Sequence, residues 1–236
     1  MTFIAIILPL LFLSYAILII SGLKKPLSAK FSSQLNYENI SVVIALKNEI
    51  NNIPELLNAL NKLNYNLEKY EIILVDDNSE DDSYMFLESH LNKNYKLLKA
   101  ANKKFPGKKG ALDIGIQNSK FDIIAITDAD CKPEIDWLKS ISKKISEGFD
   151  IVFGYSPLEK GINFISKFSS FENLRNYILY FSFAGLNIPY SAAARSFAFR
   201  KSSFNKLNGF NKTTETLSGD DDLLIREAVK NKLIMT

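Results

Sequence analysis

The sequence predicts an α/β domain, a mainly parallel sheet flanked by helices, preceded by one N-terminal transmembrane helix. Three observations lead there. Short aliphatic and β-branched runs alternate with helix-periodic segments, the order of a parallel sheet covered on both faces. Residues 3–23, FIAIILPLLFLSYAILIISGL, carry no charged side chain. Three acidic clusters recur along the chain, VDDNSEDDS (75–83), ITDADCKP (126–133) and SGDDDLLIRE (218–227), and the first two directly follow apolar runs. Carboxylates at the ends of buried strands stand where open α/β sheets bind ligands. Gathered there they need a cation, and a nucleotide diphosphate carried on a divalent metal supplies one.

The elements follow in order. SVVIAL (41–46) is a buried strand by its unbroken apolar run. NNIPELLNALNKL (51–63) places Leu56, Leu57, Leu60 and Leu63 at helical spacing, with Asn52 as a cap and Pro54 in the first turn. EIILV (71–75) is the second strand, followed by a helix over 81–91, and YKLLKA (95–100) is a third, weaker strand. KKGALDIGIQNS (108–119) is a helix opened by Gly107. FDIIAIT (121–127) and DIVFG (150–154) are the fourth and fifth strands, with the amphipathic PEIDWLKSISKKI (133–145) between them. Neither a Gly-x-Gly-x-x-Gly nor a Gly-x-x-x-x-Gly-Lys-Ser/Thr loop follows the first strand, which disfavours dinucleotide and phosphate-loop folds.

Composition narrows the chemistry. The 236 residues suffice for one substantial domain, and 47% hydrophobic with 23% charged residues is globular. A net charge of +3 is too small to argue for nucleic acid. One cysteine, Cys131, excludes an internal disulfide and fits a reducing compartment. One histidine, His90, excludes a multi-histidine metal site, so metal chemistry must run on oxygen ligands, favouring Mg²⁺ or Mn²⁺.

The apolar stretch at 1–23 reads as a transmembrane helix, since about 20 residues cross roughly 30 Å of hydrocarbon. Lys24, Lys25 and Lys30 follow it, and the positive-inside rule places the rest of the chain in the cytoplasm, at an inner or plasma membrane. Residues 24–38 read as a polar linker and 39–236 as the α/β domain.

Asp128 and Asp130, two residues apart at a strand end, can hold one hard cation and leave positions for phosphate oxygens. Alone the pair is weak evidence. With 13 Asp in the chain, chance supplies roughly 0.7 Asp-x-Asp pairs. Asp76 or Asp77 can accept a pyrimidine N–H, while the later acids 80–82 suit a helix start. Asp220, Asp221 and Asp222 precede an apparent helix. They suit its dipole, and one of them can serve as general base toward an acceptor hydroxyl. The aromatic stretch 162–186 admits two readings, a core or lid-supporting helix and an interfacial helix along the bilayer that would suit a lipid-linked acceptor.

Five motifs in order resemble family 2 glycosyltransferases of the GT-A fold: SVVIALKNE, VDDNSEDD, PGKKGALDIGI, ITDADCKP and SGDDDL. The resemblance implies a Rossmann-like nucleotide-diphospho-sugar transferase using Mg²⁺ or Mn²⁺. It implies donor binding by Ala45, Lys47, Glu49, Asp76, Asp77, Lys108, Asp128 and Asp130, with Asp128 and Asp130 on the metal. It implies that Asp220 is the base of an inverting transfer, and that Arg195, Arg200, Asp221 and Asp222 lie on the acceptor side. A glycan or a lipid-linked molecule at the membrane is the implied acceptor. Asp113 stands where the family has Asn, and Gly219 where it has Glu. The family's Gln-x-x-Arg-Trp motif and C-terminal membrane helices do not occur in these 236 residues, so the expectation is a fragment. A sugar nucleotidyltransferase and a catalytically degenerate membrane-tethered scaffold are the alternatives.

Overall fold

Six strands form one sheet: β1 (Ile40–Leu46), β2 (Tyr70–Asp76), β3 (Tyr95–Lys99), β4 (Ile123–Ile126), β5 (Ile151–Phe153) and β6 (Phe197–Arg200). The structure, a computed structural model, describes residues 2–27, 37–159, 161–212, 220–231, 233 and 235. At 2–5, 25–27, 212 and 220–223 it describes the backbone alone. The helices are α1 (Thr2–Leu27), α2 (Ile53–Asn61), α3 (Ser83–His90), α4 (Gly107–Gln117), α5 (Trp137–Ser146), α6 (Phe164–Gly185), α7 (Lys201–Lys206) and α8 (Asp220–Lys230).

The strand order is β3-β2-β1-β4-β6-β5. β1 pairs in parallel with both β2 and β4, and β2 with β3. The direction of chain winding reverses between β1 and β4, so the crevice beyond their C-terminal ends is the ligand position of an open α/β sheet. β6 is antiparallel to both of its neighbours, with Ile123 opposite Arg200 and Ile126 opposite Phe197. The sheet is therefore mainly parallel, as expected, but holds a sixth strand, β6, beyond the five expected.

Period-two alternation divides the core. Val43, Ile73, Ile124 and Phe199 face one layer with Ala111 of α4 and Ile225 of α8. Val42, Ile72, Ala125 and Ala198 face the other with Leu56 of α2 and Ile141 of α5. Both faces are covered, which is why these strands read as continuous apolar runs.

α1 is long and apolar enough over Ile6–Lys24 to cross a membrane, and only 6% of that stretch is buried. It runs four residues beyond the expected boundary, through Lys24 to Leu27, and residues 28–36 of the expected linker lie outside the described residues. α6 fits the core-helix reading of 162–186 only in its C-terminal half, where Ala184 joins the core with Tyr180 and Phe181 packed against it. It buries only Tyr177, Ser182 and Ala184, while Phe164, Ile165, Phe168 and Phe171 are exposed.

Candidate functional site

The C-terminal ends of β1, β2 and β4 bring together the first two acidic clusters. Register fixes this: Leu46 pairs with Asp76 and Val43 with Ile126. Beyond β1, the chain turns through Asn48 at φ 57°, and beyond β2 through Asn78 at φ 56°, a left-handed conformation that Asn tolerates better than most residues. The two turns are stitched together. Asn48 N donates to Ser79 Oγ at 2.9 Å, Glu80 N to Asn48 Oδ1 at 2.7 Å, and Glu49 N to Ser83 Oγ at 2.9 Å. Ile50 N and Ser83 N both donate to the Asp81 carboxylate. The Ser83 side chain foremost, and then these backbone N–H groups, hold Asp81 below the usual carboxylate range. Asp81 is thus occupied in shaping the loop, while the Asp82 side chain makes no cap bond to α3.

Asp76 is 3% exposed. Its Oδ2 accepts from Ser79 N at 3.2 Å, but its buried Oδ1 has no hydrogen-bond partner among the described residues. A buried carboxylate oxygen without a donor is costly, and the chemistry it lacks is an N–H or O–H from a ligand. Asp77, also buried, pairs with Lys103. Lys103 was not legible as a site residue, since it lies in a lysine-rich loop with no periodicity to assign it a partner.

Lys108, in the first turn of α4, pairs with Asp128 just past β4. The ligand atoms of Asp128, Asp130 and Cys131 lie within 4.8 Å of one another. Burial pushes the Cys131 thiol up to about 11, and the Asp130 and Asp128 carboxylates add to the rise. A neutral thiol is a poor ligand for a hard cation, so the donor set that fits Mg²⁺ or Mn²⁺ is the carboxylate pair completed by phosphate oxygens. Ala45 lies buried on β1, Lys47 is exposed beyond it, and Glu49 is half-buried, accepting from Asn52 Nδ2 at 2.7 Å.

A cavity of about 940 Å³ opens beside this loop, lined among others by Glu55, Asp130, Trp137, Glu159 and Arg195. Lys132 pairs with both Glu55 and Glu159 at its margin. Trp137 Nε1 donates to Ser196 Oγ at 3.0 Å, so this tryptophan is both a core neighbour and a cavity wall. Thr127 Oγ1 donates to the Arg195 carbonyl at 2.8 Å, and Arg195 Nη2 donates to Asn173 Oδ1 at 2.7 Å. Arg195 therefore joins the site. Arg200 does not: antiparallel β6 carries it to the opposite end of the sheet, where it donates to the Ile145 carbonyl at 3.0 Å and lies 4.0 Å from Asp122. Asp220, Asp221 and Asp222 form the first turn of α8, but their side chains lie outside the described residues, as does Gly219. Leu224, Ile225 and Ala228 pack α8 into the same core layer as Ala111 and Leu112 of α4.

Comparison with known proteins agrees with this geometry. Glycosyltransferase AglE of Haloferax volcanii is 30% identical over 139 residues, covering 58% of this chain and 46% of AglE. The chain thus spans about half the length of the curated relative it matches. The mannosyltransferase PcManGT from Pyrobaculum calidifontis, solved with GDP-Man and Mn²⁺, superposes with a TM-score of 0.66 at 19% identity, over 98% of this chain and 65% of that one. S. aureus TarS 1–349, solved with UDP-GlcNAc, superposes with a TM-score of 0.60 at 22% identity, over 82% of this chain and 54% of that one. Likeness at such identities shows the fold, which is GT-A. The family model described as glycosyl transferase family 2 matches residues 41–207, most of the chain; the protein belongs to that family.

Proposed function

We propose that the chain carries the donor-binding and catalytic machinery of an inverting glycosyltransferase. It moves a sugar from a nucleotide-diphospho-sugar, UDP-linked in this reading, to an acceptor hydroxyl. The acceptor is a glycan or a lipid-linked molecule at the cytoplasmic face of an inner or plasma membrane, entered by α1, and the product a glycan, polysaccharide or glycolipid. The observation that carries the reading is the buried Asp76 Oδ1, without a hydrogen-bond partner among the described residues and set at the same sheet end as Asp130 and the Asp128–Lys108 pair.

Each residue then has a role. Asp76 Oδ1 accepts the imide N–H of the base, a charge-assisted bond. Asp77, through Lys103, holds the floor beneath it, and Ala45, Lys47 and Glu49 border the nucleotide on the β1 side. Lys108 and the N-terminus of α4 face the diphosphate, a placement favoured by the helix dipole. Asp128 and Asp130 would hold Mg²⁺ or Mn²⁺, which when bound neutralises charge on the departing diphosphate. Asp220 takes the proton of the acceptor hydroxyl as that oxygen bonds to the anomeric carbon. The bond from that carbon to the diphosphate oxygen breaks, its electron pair leaving with the nucleotide. Arg195, Asp221 and Asp222 stand on the acceptor side.

The test is Asp220→Asn in the membrane-bound chain, assayed against a panel of UDP- and GDP-sugars. Transfer should fall by about 10²–10⁴-fold while donor affinity is unchanged, as for loss of a general base. Near-normal turnover would remove Asp220 from its role, and release of pyrophosphate in place of a nucleoside diphosphate would point to nucleotidyl transfer.

A further inference from the structure

Lys109, the third residue of α4, is 1% exposed. It stands directly after Lys108, yet it faces the core and not the diphosphate side. Leu112 and Ile116, three and seven residues on, continue its stripe into the layer that α4 shares with α8. A lysine is almost never buried to this depth unless a carboxylate faces it, because an unpaired ammonium there is costly.

The described acids around the sheet end and on the two helices are accounted for. Asp76 Oδ1 receives no donor among the described residues, Asp77 pairs with Lys103 and Asp128 with Lys108. On α4 itself Asp113 accepts from Gln117 Nε2 at 3.4 Å, and on α8 Glu227 pairs with Lys230 at 2.7 Å. What remains is the acidic start of α8.

Topology brings that start to the right end. β5 is antiparallel to β6 and therefore runs with β1 and β4. Met235 bridges in parallel to Ile151, the first residue of β5, so after α8 the chain is back at the N-terminal end of the sheet. α4 likewise starts beside Asp128 and leads down to β4. Both helices thus begin at the site end and descend in the same sense. Leu224, Ile225 and Ala228 mark the face of α8 that enters the shared layer. At about 100° per residue, the backbone at Asp221 falls on that face, one turn before Ile225. Asp220 stands on its flank and Asp222 falls away from it. Asp221 and Lys109 therefore hold matching places, each at the site end of an apolar stripe in one core layer.

We propose that Lys109 and Asp221 form a buried ion pair that ties the first turn of α8 to the first turn of α4 and so holds Asp220 beside the donor. Lys109 is then a positioning residue, touching neither donor nor acceptor, while Lys108 stays with the diphosphate. The pair gives Asp221 a place on the acceptor side that needs no contact with the acceptor. The inference rests on the reading of Asp220 as the base.

A double-mutant cycle in the full, membrane-bound chain tests it. Lys109→Met, Asp221→Asn and the two combined are compared by thermal midpoint, by affinity for UDP with Mn²⁺, and by kcat with a UDP-sugar below every midpoint. Lys109→Met alone strands a buried carboxylate, so its midpoint should fall, and the combined variant should regain much of the loss. In Lys109→Met kcat should fall by about 10–100-fold while UDP affinity stays within about twofold, since a displaced base misses the acceptor and not the donor. Asp221→Asn should lower kcat in the same way, and the combined variant no further. Midpoint losses that simply add remove the pair and overturn the inference. Coupled midpoints with kcat unchanged reduce the pair to a structural contact and overturn the positioning role. If Lys109→Met does not fold, the combined variant decides: restored folding supports the pair, and no restoration overturns it. Asp220→Asn serves as the control. Near-normal turnover there sinks the base reading and the positioning role with it, while coupled midpoints would still report the pair, so the two failures read apart.

Discussion

Asp76 holds a buried charge-bearing oxygen for which the described residues supply no donor. An unpaired buried polar atom costs about 1–3 kcal/mol, and a hydrogen bond to a charged group returns a similar amount when a ligand arrives. Asp76→Ala should therefore separate binding from stability. Nucleotide affinity is expected to fall by about 10–100-fold by calorimetry, while the thermal midpoint stays level or rises. A large drop in midpoint would show that Asp76 is structural. Lys108 gives a second separation. It pairs with Asp128, the carboxylate that a metal would need. Lys108→Met should weaken donor binding yet leave Mn²⁺ binding without donor as tight or tighter, because the competing ammonium is gone. Asp76 and Asp128 were singled out in the sequence because strand ends position them locally, and Lys108 only by the family resemblance; the structure sets Lys108 against Asp128. Lys103 and Asn173 were not, because their partners, Asp77 and Arg195, are brought to them only by the fold.

The expected strands appear as β1 to β5, with boundaries within a few residues, because unbroken apolar runs report burial on both faces. β6 escaped notice. Phe197, Ala198 and Phe199 alternate between the two core layers over only four residues, too short for periodicity to register. The miss displaced Arg200, since only the antiparallel direction shows that it points away from the site. α4 makes a sharper demand on its neighbours. A Cβ at Gly115 would lie 2.4 Å from Val43 Cγ1 and 3.1 Å from Val75 Cγ2, side chains of the two central strands. Gly115→Ala gains about 1 kcal/mol of helix propensity. Overpacking against a filled layer costs about 1–3 kcal/mol or somewhat more and should win, since the contacted atoms are core valines. The expected result is a net loss of stability, read as a lower thermal midpoint with donor affinity kept at saturating donor. A gain in stability would mean that α4 can lift from the sheet at little cost.

At the scale of the whole molecule, the site is assembled from the ends of separated strands and the starts of helices. In the proposed reading the donor's base would meet the turns after β1 and β2, and its diphosphate α4 and the segment after β4. The hydrophobic layers that align these ends contain no metal ligand, so the fold should stand without the ion. Donor and metal together, however, would bridge elements on both sides of the β1–β4 switch point and bind only the folded chain. At a hundredfold excess over the dissociation constant, such binding adds about 2.7 kcal/mol of stability. For a chain of this length that corresponds to a rise in midpoint of roughly 5–10 °C. Mn²⁺ with a UDP-sugar should produce that rise in a thermal unfolding scan. Either component alone should produce much less, because the carboxylate pair lacks its phosphate oxygens in one case and the diphosphate keeps its uncompensated charge in the other. Chelation should return the midpoint to that of the free chain and no lower. A fall below it would mean that the ion helps to hold the sheet ends together, and that Asp128 and Asp130 serve folding as well as the donor.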